Sequence, residues 1–365
     1  MTDDLELGNE CLPVEDISRL DDKRFILSML IPFMIRNMVW FILIIITLFF
    51  CLLDKRMFSF QILMNVLEHS SILGILVIGL TFCLITGHFD LSSESTLGFT
   101  AIVGAWLVSP NHWASGWLLS SYSSILIMLL IGFWVGWANS IFILTLKINA
   151  FIVTLAMLLA LRGVTLIWTH ARSVFDLPYA FTALGISRLG MIPVSVIFFL
   201  SLFIVGQTIL LYTKFGRDLY AIGGNRNAAY VAGVPVERRI RTTFLISGVL
   251  GAVSGLVLAG RLEAATAQLG YGMIFEVFAA AVIGGVSLQG GKGDLLGPLG
   301  GVLLLGVITT ALSILPISAY WVDAARGLVI LSAVVLDRLT LIYEEKWLNN
   351  ILIKKDVASS LKPEL

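Results

Sequence analysis

The sequence predicts an all-α polytopic membrane protein. About ten transmembrane helices are expected in two related halves, with broken or weakly apolar helices lining a central path. Three observations carry this. Apolar segments recur from Asn37 to Ile342, each close to the roughly 20 residues a helix needs to cross a bilayer. Apolar residues make up 58% of the chain against 13% charged, which leaves no composition for a soluble domain. Two polar interruptions of similar pattern also lie 198 residues apart, counted from Gly87 to Gly285.

Spans are expected over 38–53, 66–86, 92–109, 122–146, 150–169, 191–213, 242–260, 272–288, 295–314 and 322–342. The third, eighth and ninth are rich in Gly, Ser or Ala, as suits helices wrapped by others and kept from lipid. Glycines four apart (Gly132 and Gly136, Gly251 and Gly255, Gly297 and Gly301) predict close helix packing. The permease domain is set at 37–342, between an acidic tail with a bent apolar lead-in (1–36) and a short tail (343–365). That acidic start lacks the basic n-region of a signal peptide, so the tail is expected to be retained. Cys11, Cys51 and Cys83 are too scattered for a disulfide framework or a metal site.

Orientation follows the basic residues. The loop 214–241 holds Lys214, Arg217, Arg226, Arg238, Arg239 and Arg241 against Asp218 and Glu237, which places it in the cytoplasm. Six spans before it and four after it then put both termini in the cytoplasm. Lys55 and Arg56 fall on the wrong side of this scheme.

Function is sought where polarity interrupts the apolar text, because polar groups in a membrane are costly. The first interruption runs from Ile85 to Gly98 through Gly87, His88, Asp90, Ser92 and Glu94. Asp90, Ser92 and Ser93 suit a helix N-cap, and Glu94 suits the positive first turn. The second runs from Ile283 to Gly297 through Gly285, Ser287, Gly290 and Lys292. Its glycines do not have phosphate-loop register, so no nucleotide site is expected. Arg162 is expected in a structural ion pair with Glu276 or Glu68. Four histidines without ligand spacing argue against a metal, and no nucleophile–base set is visible, so no catalytic residue is assigned. A net charge of zero gives no support for nucleic-acid binding.

These residues, taken in order, carry a family resemblance. Gly79–Phe82 through Asp90-Leu91-Ser92, Phe151–Leu155 with Arg162-Gly163, Gly216-Arg217 through Gly223-Gly224-Asn225, Ala228-Ala229 with Gly233, and Ala279–Gly285 with Gly290-Gly291 resemble the simple-sugar permeases of bacterial ABC importers. These form the ribose-type branch of the branched-chain amino-acid/ribose superfamily. The resemblance implies a multi-pass subunit of the bacterial cytoplasmic (inner) membrane, paired with a second permease copy or paralogue. A cytoplasmic ABC ATPase would hold ATP-Mg, none being bound by this chain, and a periplasmic or lipid-anchored sugar-binding protein would deliver solute. It further implies that His88, Asp90, Ser92, Glu94, Phe151, Gly285, Ser287 and Gly290 line or gate the path. Gly216, Arg217, Gly223, Gly224, Asn225, Ala228, Ala229 and Gly233 would belong to the ATPase-coupling loop. Where such permeases read Gly-Gly-Ile-Asp-Leu-Ser-Val-Gly-Ser, this chain has His88 and Glu94, expected to adapt the gate or partner contact for a solute other than ribose. The alternatives are an ion-driven secondary transporter using Glu276, Arg162 and Asp90, and an ABC permease for branched-chain amino acids.

Overall fold

The computed structural model describes residues 37–110 and 118–314, with single positions at Ala324, Gly327, Leu328, Leu331 and Val335. The N-terminal tail, His112, most of the tenth expected span including Arg326, and the C-terminal tail lie outside the described residues.

Helix α1 (Met38–Leu53) leads into a 3-10 turn at Lys55–Phe58, and α2 (Phe60–Ile85) starts at Ser59, whose hydroxyl accepts the Ile62 amide. Helix α3 (Ser93–Val108) follows the first interruption. Ser120 caps α4 (Ser121–Leu144) and Asn149 caps α5 (Ala150–Thr169). A short α6 (Tyr179–Ile186) precedes a hairpin of β1 (Arg188–Leu189) and β2 (Ile192–Pro193), paired antiparallel. Then come α7 (Val194–Tyr212), α8 (Lys214–Gly224), α9 (Arg226–Val231) and α10 (Val236–Leu262). Helices α11 (Met273–Ile283) and α12 (Leu296–Ile314) flank the second interruption.

Among the described residues six helices, α2, α4, α5, α7, α10 and α12, are long and apolar enough to cross a bilayer. The described residues therefore do not display ten full spans. Helices α1 and α3 have 16 residues each and α11 only 11. For α11 the reason is visible: the second interruption takes up length that the sequence assigned to helix, whereas α3 keeps the expected bounds to within one residue at each end. The expected loop 214–241 is itself largely helical, and Phe181 of the unexpected α6 is fully buried.

Helix α10 is the hub, packed against α4, α2, α3 and α6. Backbone proximity makes this possible. A Cβ on Gly132 or Gly136 would collide with the carbonyls of Gly248 or Phe244 on α10, and one on Gly255 with Leu97 of α3. Gly297 and Gly301 let α12 approach Gly284 and Ala280 of α11 equally closely. All three glycine pairs serve packing, as their spacing predicts. Helix α3 is buried along almost its whole length, whereas α1, α4, α5 and α7 expose apolar side chains such as Leu48, Phe133, Leu159 and Ile204.

The two ends of the bundle differ. At one end lie the α4–α5 turn, α8 and α9, and the close of α2. At the other, Val174 bridges Ala265, Ser109 Oγ donates to Phe175 O, and Glu68 pairs with Arg188 and Arg261. Arg56 at that end is neutralised by Asp54, whose carboxyl its hydrogen bonds hold below the usual value, and its guanidinium also donates to Ile314 O. This gives the misplaced cation a structural use against α12.

Gly248→Val tests the hub. Its side chain meets the Gly132 carbonyl, which cannot move as a side-chain tip would. A loss of about 1–3 kcal/mol is expected, read as a lower apparent melting temperature in detergent.

Candidate functional site

Both interruptions begin with the same backbone device. At Gly87, with φ +76°, the His88 amide donates to Cys83 O and the Gly87 amide to Leu84 O. At Gly285, with φ +82°, the Val286 amide donates to Ala281 O and the Gly285 amide to Val282 O. Each is a Schellman closure with glycine in the left-handed position, so the two breaks match in geometry as well as in sequence.

After Gly87 the chain turns back along α10. Asp90 is buried and accepts three hydrogen bonds, from the Ser92 amide at 3.0 Å, Ser92 Oγ at 2.6 Å and Ser247 Oγ at 2.6 Å. Asn139 Nδ2 donates to Ser92 Oγ at 2.8 Å, which joins α4 to the network. Ser92 thus stands at the N-cap position of α3 without capping it. Ser247 is eleven residues into α10, so at 1.5 Å per residue Asp90 lies about 17 Å from the start of that helix, near mid-depth.

Glu94 departs from its expected use. Its Oε2 accepts the Ile274 amide at 3.0 Å, so it serves the N-terminus of α11 rather than its own helix. Its Oε1 pairs with Arg162, the carboxylate partner in place of Glu276 or Glu68. Arg162 also lies over the ring of Tyr271, 4.2 Å from the centroid. One buried carboxylate therefore joins α3, α5 and the start of α11. Glu276 is buried in the first turn of α11.

The two breaks meet. The Gly291 amide donates to Ile85 O at 2.9 Å, and a Cβ on Gly290 would lie 2.8 Å from the Gly87 nitrogen. Gly223 at the end of α8 fits into the same spot, where a Cβ would strike Ile85 O and the Gly291 amide. Tyr220 Oη donates to Gly293 O at 2.7 Å, and burial followed by nearby Asp294 raises the phenol pKa, which keeps the donor protonated. Asp218 and Arg239 then clamp α8 to α10 through a 2.7 Å ion pair. Within the second break, Ser287 Oγ accepts the Gln289 amide and Ser287 O the Gly290 amide.

Beside this junction is an open cleft of about 730 Å³, lined by His88, Phe151, Lys147, Asn149, Arg226 and Glu237 among others. His88 is half-buried, its Nδ1 2.9 Å from Thr86 O, and the Phe89 ring lies between Phe151 and Phe278. His88 and Phe151 thus share a cleft, Asp90 and Ser92 a buried network, and Gly285, Ser287 and Gly290 form the opposing turn. Of the coupling-loop residues, Gly216 and Ala229 are buried, while Arg217, Gly224, Asn225, Ala228 and Gly233 are exposed. Asn225 caps α9 through the Ala228 amide. Sequence reasoning missed Ser247, Asn139, Tyr220 and Tyr271, which become polar partners only through tertiary packing. It also missed Tyr230 and Val231, exposed apolar residues on the basic segment, where a hydrophobic pair outside a span was the available signal.

Residues 62–334 match a family described as branched-chain amino acid transport system / permease component. The chain belongs to this family. The permease is similar to the ribose import permease protein RbsC of Haemophilus influenzae, 34% identical over 309 residues that cover 84% of this chain and 94% of that one. It is also similar to the autoinducer 2 import system permease protein LsrC of Enterobacter sp., 37% identical over 291 residues (78% and 81% covered). A third relative is the L-arabinose transport system permease protein AraH of Escherichia coli, 35% identical over 280 residues (73% and 80%). No solved structure shows significant similarity to the permease.

Asp90→Ala removes the acceptor of three buried bonds and leaves two hydroxyls and an amide to be satisfied elsewhere. A cost of about 2–5 kcal/mol is expected, with Asp90→Asn milder because one acceptor oxygen survives. Apparent melting temperatures of the two variants check this order.

Proposed function

We propose that the chain is the membrane-spanning permease subunit of an ATP-driven ABC importer, translocating a monosaccharide or similar simple sugar. The observation that carries this reading is near full-length similarity to import permeases for ribose, autoinducer 2 and arabinose. Such a subunit moves solute and performs no covalent chemistry. ATP-Mg belongs to a separate cytoplasmic ATPase, and a binding protein outside the membrane presents the sugar.

The end that carries α8 and α9 is the cytoplasmic one, in keeping with Lys147, Lys214, Arg217, Arg226, Arg238 and Arg241 there. Both termini lie on that side if 322–342 forms a tenth span. Counted so, the bundle has ten spans in two related halves, each interrupted at a Schellman glycine, and a second permease completes the path. The ATPase seats on α9. Tyr230 and Val231 are 74% and 85% exposed, and Gly224, Ala228 and Gly233 around them leave room for a close partner surface. Movement of this segment reaches the path because Gly223 lies directly against both breaks. The opposite end, with α6 and the β1–β2 hairpin, receives the binding protein. Alternating access then follows as the junction is pulled and released. Coupling runs both ways, so loaded binding protein outside stimulates ATP hydrolysis inside.

Purification from native membranes in mild detergent tests this. A stoichiometric ABC ATPase is expected to co-purify, and Tyr230→Ala with Val231→Ser to weaken its retention by about tenfold or more. A chain that moves sugar under an ion gradient with no ATPase attached would overturn the reading.

A further inference from the structure

Resting on that reading, we infer that Arg162 and Tyr271 form a recognition station for uncharged, hydroxyl-rich solute at mid-depth in the path, and that Glu94 sets its charge selectivity. Arg162 is twelve residues into α5, so its Cα lies about 18 Å along a helix of about 30 Å. The guanidinium side chain is 22% exposed. A cation at this depth is costly against hydrocarbon, so its exposed face meets water or another protein surface. Tyr271, whose ring Arg162 covers, is 68% exposed. The part of the molecule around Arg162 is therefore the path side of the subunit rather than its lipid side.

Its chemistry is specific. The exposed elements are a guanidinium fork, which donates hydrogen bonds to hydroxyl oxygens, and a phenol ring suited to the C–H face of a sugar. Beneath them Glu94, its side chain 2% exposed, carries the cancelling charge. That carboxylate is committed twice, to Arg162 and to the Ile274 amide at the start of α11. The station thus offers donors and an aromatic face with its charge compensated from below. Glu94 is the carboxylate ion-paired to Arg162, and the buried Glu276 stands in the first turn of the same α11. Without Glu94, a guanidinium and a helix N-terminus would converge on one point, an arrangement that favours anions.

Glu94→Gln is close to isosteric and keeps an acceptor for the Ile274 amide, so it removes charge with little change of shape. The full-length permease in lipid nanodiscs is titrated with ribitol, an uncharged polyol, and with sodium gluconate, a polyol carboxylate, at matched ionic strength. Thermal stabilisation is the readout. Wild type and Glu94→Asp are expected to respond to ribitol in preference to gluconate. Glu94→Gln is expected to reverse the order, with apparent gluconate affinity raised about tenfold or more. Glu94→Gln combined with Arg162→Gln should lose that gain. A wild type that responds to no uncharged polyol, or a Glu94→Gln protein with unchanged preference, would overturn the inference. The ATP-driven reading stands or falls separately, on whether an ATPase co-purifies.

Discussion

The hydrogen bond from the Gly291 amide to Ile85 O ties the two interrupted helices to each other at the end of the bundle that carries α8. A helix end packed against protein leaves carbonyls and amides that must find partners, each costing several kcal/mol if buried unpaired. Here the first break closes on the second, and both are covered by α8. Gly87, Gly223 and Gly290 meet there because no side chain would fit among three backbones. The same contact that satisfies the backbone also brings α8 against both breaks.

Around mid-depth the molecule handles charge in two ways. Asp90 is held by hydroxyls and an amide alone, drawn from its own break and from α10. Glu94 is held by a guanidinium and a helix N-terminus. The first ties the break to the hub helix, while the second ties α5 and the start of α11 to α3. These arrangements explain why α3 and α11 can be short: their inner ends are supported by side chains rather than by further helical turns.

Much of this was legible from residue types and spacing. Gly87 and Gly285 marked helix ends because a left-handed residue after an apolar run is a helix stop, and the four-residue glycine pairs marked close crossings. Glu94 was legible as a first-turn acid but its target was not, because the helix it serves begins 180 residues later. Arg162 called for a carboxylate, yet which one it would meet depended on how the bundle packs. The eighth expected span, 272–288, overran its helix, Met273–Ile283, because hydropathy does not show where an apolar segment leaves the helix for a polar turn. Helix α6 is eight residues long, below the length at which periodicity is informative.

Hydrogen–deuterium exchange of the permease in nanodiscs, comparing Gly223→Ala with Gly224→Ala, tests the three-way junction most directly. A methyl at 223 enters the gap between Ile85 O and the Gly291 amide, whereas a methyl at 224 meets nothing within 4 Å. Gly223→Ala is expected to speed exchange in peptides covering 83–90 and 284–295 by about tenfold, with Gly224→Ala matching wild type. Equal protection of both breaks in the two variants would show that α8 does not hold them, and would contradict the junction as the centre of the fold.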